Sequence, residues 1–376
     1  MALLAQMAHC RGVLGLTSKI PVTVVSGFLG SGKTTLLNRL LAQPMLDAAR
    51  ESERIVVIVN ELGDIGLDHS RSLRVRDSIV LIGSGCICCT VRGELVGALR
   101  ELFMAALHKR MAPFSRVIVE TTGIADPSPI IYTLRHDVFL RERYVYDGCT
   151  TVVDSLNGRQ QLETIVEAVQ QAVLADVLVF SKTDLAAPES VGALQATLHG
   201  VNPDAAQYRS DALPSLVELV RVCGQATNTG ATIHRSHFWS SGNMGAGRSN
   251  HLGVEVLSLQ WARALSRAEF ARAMEALHAD SSLQILRIKG ALWFGADAHA
   301  SLVNGVHQQL YPVEALTPLA NAFVPGVETS DTPPDERIST MVFIFRGVSP
   351  DVLLQKLATL MPQAQAFVSL QRNLHG

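Results

Sequence analysis

The first half of the chain alternates short, continuously apolar runs with the mixed polar and apolar pattern of helices. The runs are IPVTVVSG, RIVVIVN, SIVLIGSG, RVIVE, TTVVD and DVLVFSK. Strands of a parallel sheet are covered by helices on both faces, so they carry apolar side chains at successive positions rather than at every second one. Residues 19–223 are therefore predicted to form an α/β domain with a mostly parallel sheet.

A change in composition separates a second, smaller region. Residues 224–250 are rich in Gly, Ser, Thr and Asn and lack acidic residues, which is typical of a linker. Residues 251–376 are predicted to form an α+β domain. Its expected elements are the alternating strand VEVLSLQW, a helix capped by Ser266 and Glu269, two strands around a Lys-Gly turn in LQILRIKGALWF, the strand TMVFIFRG, and a helix opened by Ser349.

Length, composition and charge narrow the possible partners. The 376 residues are 48% hydrophobic, which is enough for packed cores. The chain has 32 Lys and Arg residues and 34 Asp and Glu residues, so its positive and negative charges nearly balance. This balance gives no electrostatic reason to expect nucleic acid or a membrane surface. No apolar run approaches the roughly 18 residues of a membrane span. Residues 1–18 carry their charge after the apolar part, unlike a secretory signal, so we interpret them as a disordered tail or an overlong start and expect a cytoplasmic protein.

The sequence GFLGSGKTT follows the strand VTVVS and precedes an amphipathic helix, as a phosphate-binding loop does. Its glycines allow backbone N–H groups to curl around a phosphate, and the helix N-terminus adds positive potential. Lys33 is expected to reach the β and γ phosphates, and the Thr34 hydroxyl is expected to bind Mg²⁺. The predicted nucleotide-binding residues of this loop are Gly27, Gly30, Ser31, Gly32, Lys33, Thr34 and Thr35.

An acidic residue ends a second apolar strand. RVIVETTG places Glu120 three residues before Gly123, where a carboxylate can hold Mg²⁺ or orient its bound water. The alternative is a carboxylate that caps the helix near DPSPI.

The sequence FSKTD follows a late strand and is the candidate element for reading the base. The Asp184 carboxylate can accept from N1–H and the N2 amino group of guanine together, whereas adenine has an acceptor at N1. Lys182 is expected to lie along the base and ribose. The motif predicts GTP in preference to ATP, and the alternative is an ordinary surface turn.

Half of the six cysteines lie in the stretch GCICC, as Cys86, Cys88 and Cys89. Thiolates are soft ligands that select zinc, copper(I) or iron–sulfur over magnesium, and three of them leave one coordination position open for metal transfer. Strand alternation sends Cys89 to the opposite side from the other two, so the chain must turn for all three to converge. Buried structural cysteines and a redox pair are the alternatives, although C-x-C-C lacks the usual redox spacing.

Together these motifs resemble the CobW-like metallochaperone GTPases, a subfamily of the P-loop GTPases. The resemblance rests on GFLGSGKTT, NELGDIGLD, GCICC, ETTG and SKTD, and it is dense over residues 20–184 and looser in the C-terminal domain. Two departures are Ser181, where the family commonly has Asn, and the switch segment, where Leu62 and Asp64 replace the usual Phe and Glu. The shorter Ser181 side chain predicts weaker guanine binding.

The resemblance implies a Mg²⁺-dependent GTPase that binds a transition metal, expected to be Zn²⁺, through the three cysteines. GTP binding and hydrolysis would be coupled to metal delivery to a client metalloprotein. Glu61 or Asp64 would respond to the γ phosphate, and Glu61 is a hypothetical fourth metal ligand. We see no arginine finger or water-positioning glutamine, so slow intrinsic turnover is expected.

Other functions fit the same motifs. They are a GTPase for cobalt insertion in cobalamin synthesis, a non-catalytic nucleotide-gated protein-binding module, and an ATP-dependent enzyme. His234, His237 and His251 could shuttle metal, but spread-out histidines in a polar linker are usually solvated. Metal identity, client and oligomeric state stay open at this point.

Overall fold

The computed structural model divides the chain into two compact units. The first comprises residues up to Gly158 with 175–190 and 206–224, and the second comprises 159–174, 191–205 and 225 onward. The residues that the structure describes are 19–42, 55–59, 74–76, 79–83, 91–213, 215–216, 219–220, 223, 253–261, 264–295, 297, 299–307, 309–310, 313–315, 338–362 and 368–369. The predicted linker lies outside them, and the linear domain boundaries remain predictions.

The first unit is built around a sheet of eight strands among its described residues. Its strands are β1 (Ile20–Ser26), β2 (Ile55–Val59), β3 (Arg74–Arg76), β4 (Ile79–Gly83), β5 (Arg116–Glu120), β6 (Tyr144–Asp154), β7 (Val177–Ser181) and β8 (Ala206–Arg209). They lie in the order β3-β4-β2-β5-β1-β6-β7-β8. The pair β3 and β4 is antiparallel and every other neighbouring pair is parallel. The predicted mostly parallel α/β sheet is therefore confirmed.

Helices join these strands. They are α1 (Lys33–Ala42), α2 (Val91–Leu107), α3 (Ser128–His136), α4 (Val138–Arg143), α5 (Gly158–Thr164), α6 (Val166–Leu174) and α7 (Pro188–Val201). Helix α2 shows why they form, because Leu95, Leu99, Leu102 and Phe103 recur at helical spacing and enter one buried cluster with apolar residues of β1, β2 and β5. Tyr144 is part of the same buried cluster, and its hydroxyl donates to the Leu99 carbonyl oxygen at 2.8 Å.

The second unit takes in α5, α6 and most of α7, and its described residues after 250 form an antiparallel sheet with two further helices. The strands of this sheet are β9 (Glu255–Trp261), β10 (Gln284–Leu292), β11 (Ser301–Val306), β12 (Gln309–Leu310), β13 (Glu314–Ala315), β14 (Ser339–Arg346) and β15 (Val368–Ser369), and the two further helices are α8 (Arg267–Ala279) and α9 (Pro350–Leu360). Both helices begin with the predicted caps, since Ser266 Oγ accepts from the Glu269 N–H at 3.0 Å and Ser349 Oγ accepts from the Val352 N–H at 3.4 Å. The predicted α+β fold is confirmed.

One strand assignment from the sequence was wrong. LQILRIKGALWF was predicted to hold two strands about a Lys-Gly turn, but β10 runs unbroken from Gln284 to Leu292. Gly290 serves close packing here, because a Cβ at this position would lie 2.5 Å from the Thr340 carbonyl oxygen of β14. Lys289 is 3% exposed, which is unusual for a turn lysine.

No helix within the described part of the chain is long and apolar enough to cross a membrane.

Candidate functional site

The predicted nucleotide residues meet at the carboxyl edge of the first unit's sheet. In the chain, β1 is followed by β2 on one side of the sheet, and after β5 the chain crosses to β6 on the other side of β1. This reversal beside β1 is where open parallel sheets bind ligands. The ends of four strands converge there, namely Ser26 of β1, Glu120 of β5, Asp154 of β6 and Ser181 of β7.

The loop from Gly27 to Gly32 has the conformation of a phosphate-binding loop. The φ angles of Gly27, Gly30 and Gly32 are 143°, 70° and 89°, a region that side chains with a Cβ rarely adopt. A Cβ on Gly27 would also lie 2.3 Å from the Val152 carbonyl oxygen. The loop leads directly into α1, whose first-turn N–H groups and dipole favour an anion.

Lys33 is enclosed by this loop. Its Nζ donates to the carbonyl oxygens of Gly27 at 2.8 Å and of Phe28 at 3.3 Å, and the residue is 8% exposed. Burial lowers the pKa of the Lys33 amine, and the carboxylate of Glu120 opposes that shift. An anion brought to the loop would add to the effect of Glu120 and favour the charged ammonium.

Thr34 and Glu120 form the second part of the site. Thr34 Oγ1 donates to Glu120 Oε1 at 2.6 Å, and Glu120 is 2% exposed. Mg²⁺ prefers oxygen ligands and is usually held by one or two carboxylates together with substrate phosphates. The Thr34 hydroxyl beside the buried Glu120 carboxylate is a donor set that fits Mg²⁺.

Buried hydroxyls beside the loop fit a phosphate. Ser31 Oγ and Thr122 Oγ1 have no hydrogen-bond partner among the described residues, although Ser31 is 1% and Thr122 is 5% exposed. Buried hydroxyls are usually satisfied, so an unsatisfied pair at a phosphate-binding loop indicates a polar ligand. Thr35, in contrast, is exposed on α1.

Gly123 allows the two loops to approach each other. A Cβ there would lie 2.6 Å from Leu29 N and 2.7 Å from Leu29 Cα, far inside ordinary contact distance. The ETTG segment therefore packs directly on the backbone of the phosphate-binding loop, and glycine is required by the close approach.

Ser181 connects the base-reading segment to the phosphate-binding loop. Its Oγ lies 2.6 Å from the Ser31 carbonyl oxygen and 3.2 Å from the Val153 carbonyl oxygen, and it can donate to either. The SKTD motif predicts that Ser181 contacts guanine through a shorter side chain than the Asn that the family commonly has. In the structure its hydroxyl contacts the loop backbone, so its length suits this contact.

Asp154 was missed by the sequence analysis. Its Oδ2 accepts from Lys182 Nζ at 2.8 Å and from Asn157 Nδ2 at 2.9 Å, and its Oδ1 accepts from the Leu156 N–H at 2.8 Å. Burial raises the pKa of the Asp154 carboxyl, but these hydrogen bonds outweigh it and hold the pKa below its usual value. The available signal was the acidic end of TTVVD, at the same edge of the sheet as SKTD.

The rest of the base-reading segment is open to solvent. Asp184 is exposed, and the Leu185 N–H donates to the Lys182 carbonyl oxygen at 3.1 Å to close the turn. From β8, Arg209 donates to Thr183 Oγ1 at 3.3 Å and pairs with Asp211. The segment is thus held from several sides while its Asp184 carboxylate remains accessible.

Several predicted residues lie outside the described residues: Glu61, Asp64, Cys86, Cys88, Cys89, His234, His237 and His251. Among the residues that are described, no cluster of three or more His, Cys, Asp or Glu could hold a metal ion. Cys149 and Cys223 are buried thiols, and burial raises the pKa of Cys223 well above its usual value. The cysteine site therefore remains a prediction.

Two family models match the chain. The CobW/HypB/UreG nucleotide-binding domain matches residues 21–209, and the cobalamin synthesis protein CobW C-terminal domain matches residues 254–361. The matches fall on the two parts predicted from the sequence, so the resemblance drawn from the motifs is confirmed.

Curated relatives and a solved structure agree with this assignment. The zinc chaperone YjiA of Escherichia coli is 33% identical over 298 residues, which is 78% of this chain and 88% of the relative. The zinc-regulated GTPase metalloprotein activator 1 of Schizosaccharomyces pombe is 34% identical over 192 residues, 49% of this chain and 44% of the relative. The crystal structure of Zn(II)-bound YjiA GTPase from E. coli has a TM-score of 0.66 at 24% identity, covering 92% of this chain and 99% of that one, and it supports the fold.

Proposed function

We propose, on the premise that this chain belongs to the CobW family of P-loop GTPases, that it hydrolyses GTP and couples the nucleotide state to delivery of a transition metal to a client metalloprotein. The observation that carries the GTPase part is the convergence of Lys33, Thr34 and Glu120 beside a base-reading segment that is hydrogen-bonded to the same loop. The proposed metal is zinc and the proposed location is the cytoplasm, where thiols stay reduced.

The phosphates of GTP would lie in the loop from Gly27 to Thr35. Lys33 would exchange its contacts with the loop carbonyls for the β and γ phosphates, and backbone N–H groups with the Ser31 hydroxyl would complete the cradle. Thr34 and Glu120 would hold Mg²⁺, which neutralises phosphate charge when bound. Catalysis here consists of positioning and electrostatic stabilisation, so removal of the Lys33 charge should abolish turnover.

The guanine base would be read by Asp184 and supported by Lys182. Asp184 is exposed and can accept from the two donors on the guanine edge, whereas adenine presents an acceptor to one of its oxygens. Two acceptors that face each other make no hydrogen bond and repel, and this difference favours GTP.

The metal-transfer part of the proposal rests on the three cysteines and on membership of the CobW family. Cys86, Cys88 and Cys89 would bind zinc as thiolates, with Glu61 or Asp64 in the switch segment responding to the γ phosphate. The names of the relatives, zinc chaperone and metalloprotein activator, support zinc as the cargo and a metalloprotein as the client. If the switch segment contacts the thiolates, nucleotide and metal affinities must be coupled reciprocally.

Multiple-turnover phosphate release tests the GTPase assignment. The wild-type protein should release phosphate from GTP with Mg²⁺, and the Lys33→Ala variant should not. Tight GTP binding without release would instead favour a non-catalytic binding module. Competition between GTP and ATP, repeated on Asp184→Ala, tests the base assignment, and an unchanged preference in the variant would contradict it.

A further inference from the structure

Lys182 does not extend freely from the base-reading segment. Its Nζ donates to Asp154 Oδ2 at 2.8 Å, and its backbone has a φ of 54°, in the left-handed region. The lysine side chain is 33% exposed and that of Asp154 is 2% exposed. The ammonium group is therefore held against the end of β6, while part of the lysine side chain remains open to solvent.

Asp154 is itself fixed in place. It ends β6 in register with Ser181 at the end of β7, and it accepts from the Leu156 N–H at 2.8 Å and from Asn157 Nδ2 at 2.9 Å. A carboxylate with three donors, one of them charged, has little freedom to move away from Lys182. The pair thus joins the ends of two neighbouring strands at the edge where the base would bind.

We propose that Asp154 is a positioning residue for guanine: it holds the ammonium group of Lys182 so that the methylene stem forms a ready-made apolar surface for the purine ring. This inference rests on the proposed GTP site. A lysine stem can cover apolar surface while its charged end satisfies a polar partner. Because a free lysine has many rotamers, ordering it before binding should improve GTP affinity by about tenfold.

In this proposal Asp154 affects binding of the guanine base and does not affect binding of the phosphates. The proposed phosphate contacts come from the loop of Gly27 to Thr35, whereas the side chain of Asp154 contacts Lys182 in the base-reading segment. Inorganic tripolyphosphate binds a phosphate-binding loop without offering a base. A general structural role for Asp154 would weaken both ligands, but a positioning role should weaken GTP selectively.

The test compares GTP and tripolyphosphate affinities, measured by calorimetry with Mg²⁺, in Asp154→Asn and Asp154→Ser. Both substitutions keep an acceptor for the Leu156 N–H and remove the negative charge that faces Lys182. We expect about a tenfold loss of GTP affinity and less than about a twofold change for tripolyphosphate. Asp137→Asn is the matched control, because Asp137 caps α4 just before β6 begins, at the opposite edge of the sheet.

A double-mutant cycle with Lys182→Met tests the route of the effect. Methionine keeps an unbranched apolar stem and lacks the ammonium group, so Asp154→Asn should cause no further loss of GTP affinity in that background. Thermal unfolding of each variant shows whether it is folded, and Asp154→Ser replaces Asp154→Asn if the latter is not.

The outcomes separate this inference from the proposed function. Wild-type affinity in the folded Asp154 variants, equal losses for GTP and tripolyphosphate, or additive losses with Lys182→Met would each overturn the inference. So would unfolding of both Asp154 variants, since that would make the carboxylate structural. If the wild-type protein fails to bind GTP at all, the proposed function fails first.

Discussion

The contact between ETTG and the phosphate-binding loop makes Gly123→Ala the most informative single substitution. The added Cβ would lie 2.6 Å from Leu29 N and from Leu29 Cδ2, and 2.7 Å from Leu29 Cα, where ordinary contact begins at 3.4 Å. The nearest atoms include backbone, so a rotamer change cannot relieve the overlap. One of the two loops must move by roughly 1 Å, and overpacking of this kind costs about 1–3 kcal/mol.

Two quantities should change together. The midpoint of thermal unfolding should fall by roughly 2–12 °C, since 1 kcal/mol corresponds to about 2–4 °C in a domain of this size. GTP affinity should fall by about 10- to 100-fold, because N–H groups displaced by 1 Å lose their alignment with the phosphates. Scanning calorimetry measures the first quantity, and binding of a fluorescent GTP analogue measures the second.

Gly97→Ala is the control for the loss of a glycine. Gly97 lies within α2, and a Cβ there meets nothing within 4 Å. The substitution should stabilise the protein by about 0.5–1 kcal/mol without changing GTP affinity. If Gly123→Ala keeps both the wild-type midpoint and the wild-type affinity, the reasoning about this contact is wrong.

Three further predictions concern single hydrogen bonds. Ser181→Ala leaves the Ser31 carbonyl without its buried donor and should lower the free energy of unfolding by about 1–2 kcal/mol in urea; an unchanged midpoint would contradict that contact. Ser266→Ala removes the cap of α8 and should cost about 1 kcal/mol, with faster amide exchange in the first turn, and unchanged exchange would argue against the cap. Hydrogen bonds to the Asp280 carboxylate, the largest effect coming from Lys356, lower its pKa to about 2. The pair therefore stabilises the fold when the pH is above the ordinary pKa of Asp, and this contribution is lost as the pH falls toward 2. Lys356→Met should raise that pKa toward its usual value in an NMR titration, and an unmoved titration would show that the pair is absent in solution.

Local sequence patterns were sufficient for the parallel sheet and the phosphate-binding loop. A buried parallel strand needs apolar residues at successive positions, and β1 is buried at six of its seven positions. The spacing of Gly27, Gly32, Lys33 and Thr34 encodes a backbone conformation directly, because glycine permits the positive φ angles that the loop requires. The position of Glu120 at the end of β5 followed from the same strand pattern.

Contacts between distant segments could not be predicted in this way. Asp154 and Lys182 are 28 residues apart, and their pairing depends on β6 and β7 being neighbours in register. The hydroxyl of Ser181 was interpreted from its motif, but its contact with Ser31 spans 150 residues. The Lys-Gly pair at Gly290 is typical of a turn, but the glycine is needed for the close approach of β14, which a single sequence does not show.

The central claim is that nucleotide state and metal affinity are coupled in one protein. Its most direct test is zinc affinity, measured by chelator competition without nucleotide, with GDP and with a non-hydrolysable GTP analogue. A variant in which Cys86, Cys88 and Cys89 are all replaced by serine is measured in parallel. The account predicts tight, thiol-dependent binding that differs at least about fivefold between GDP and the analogue. Equal zinc affinity in all nucleotide states, or equal affinity without the thiols, would contradict it.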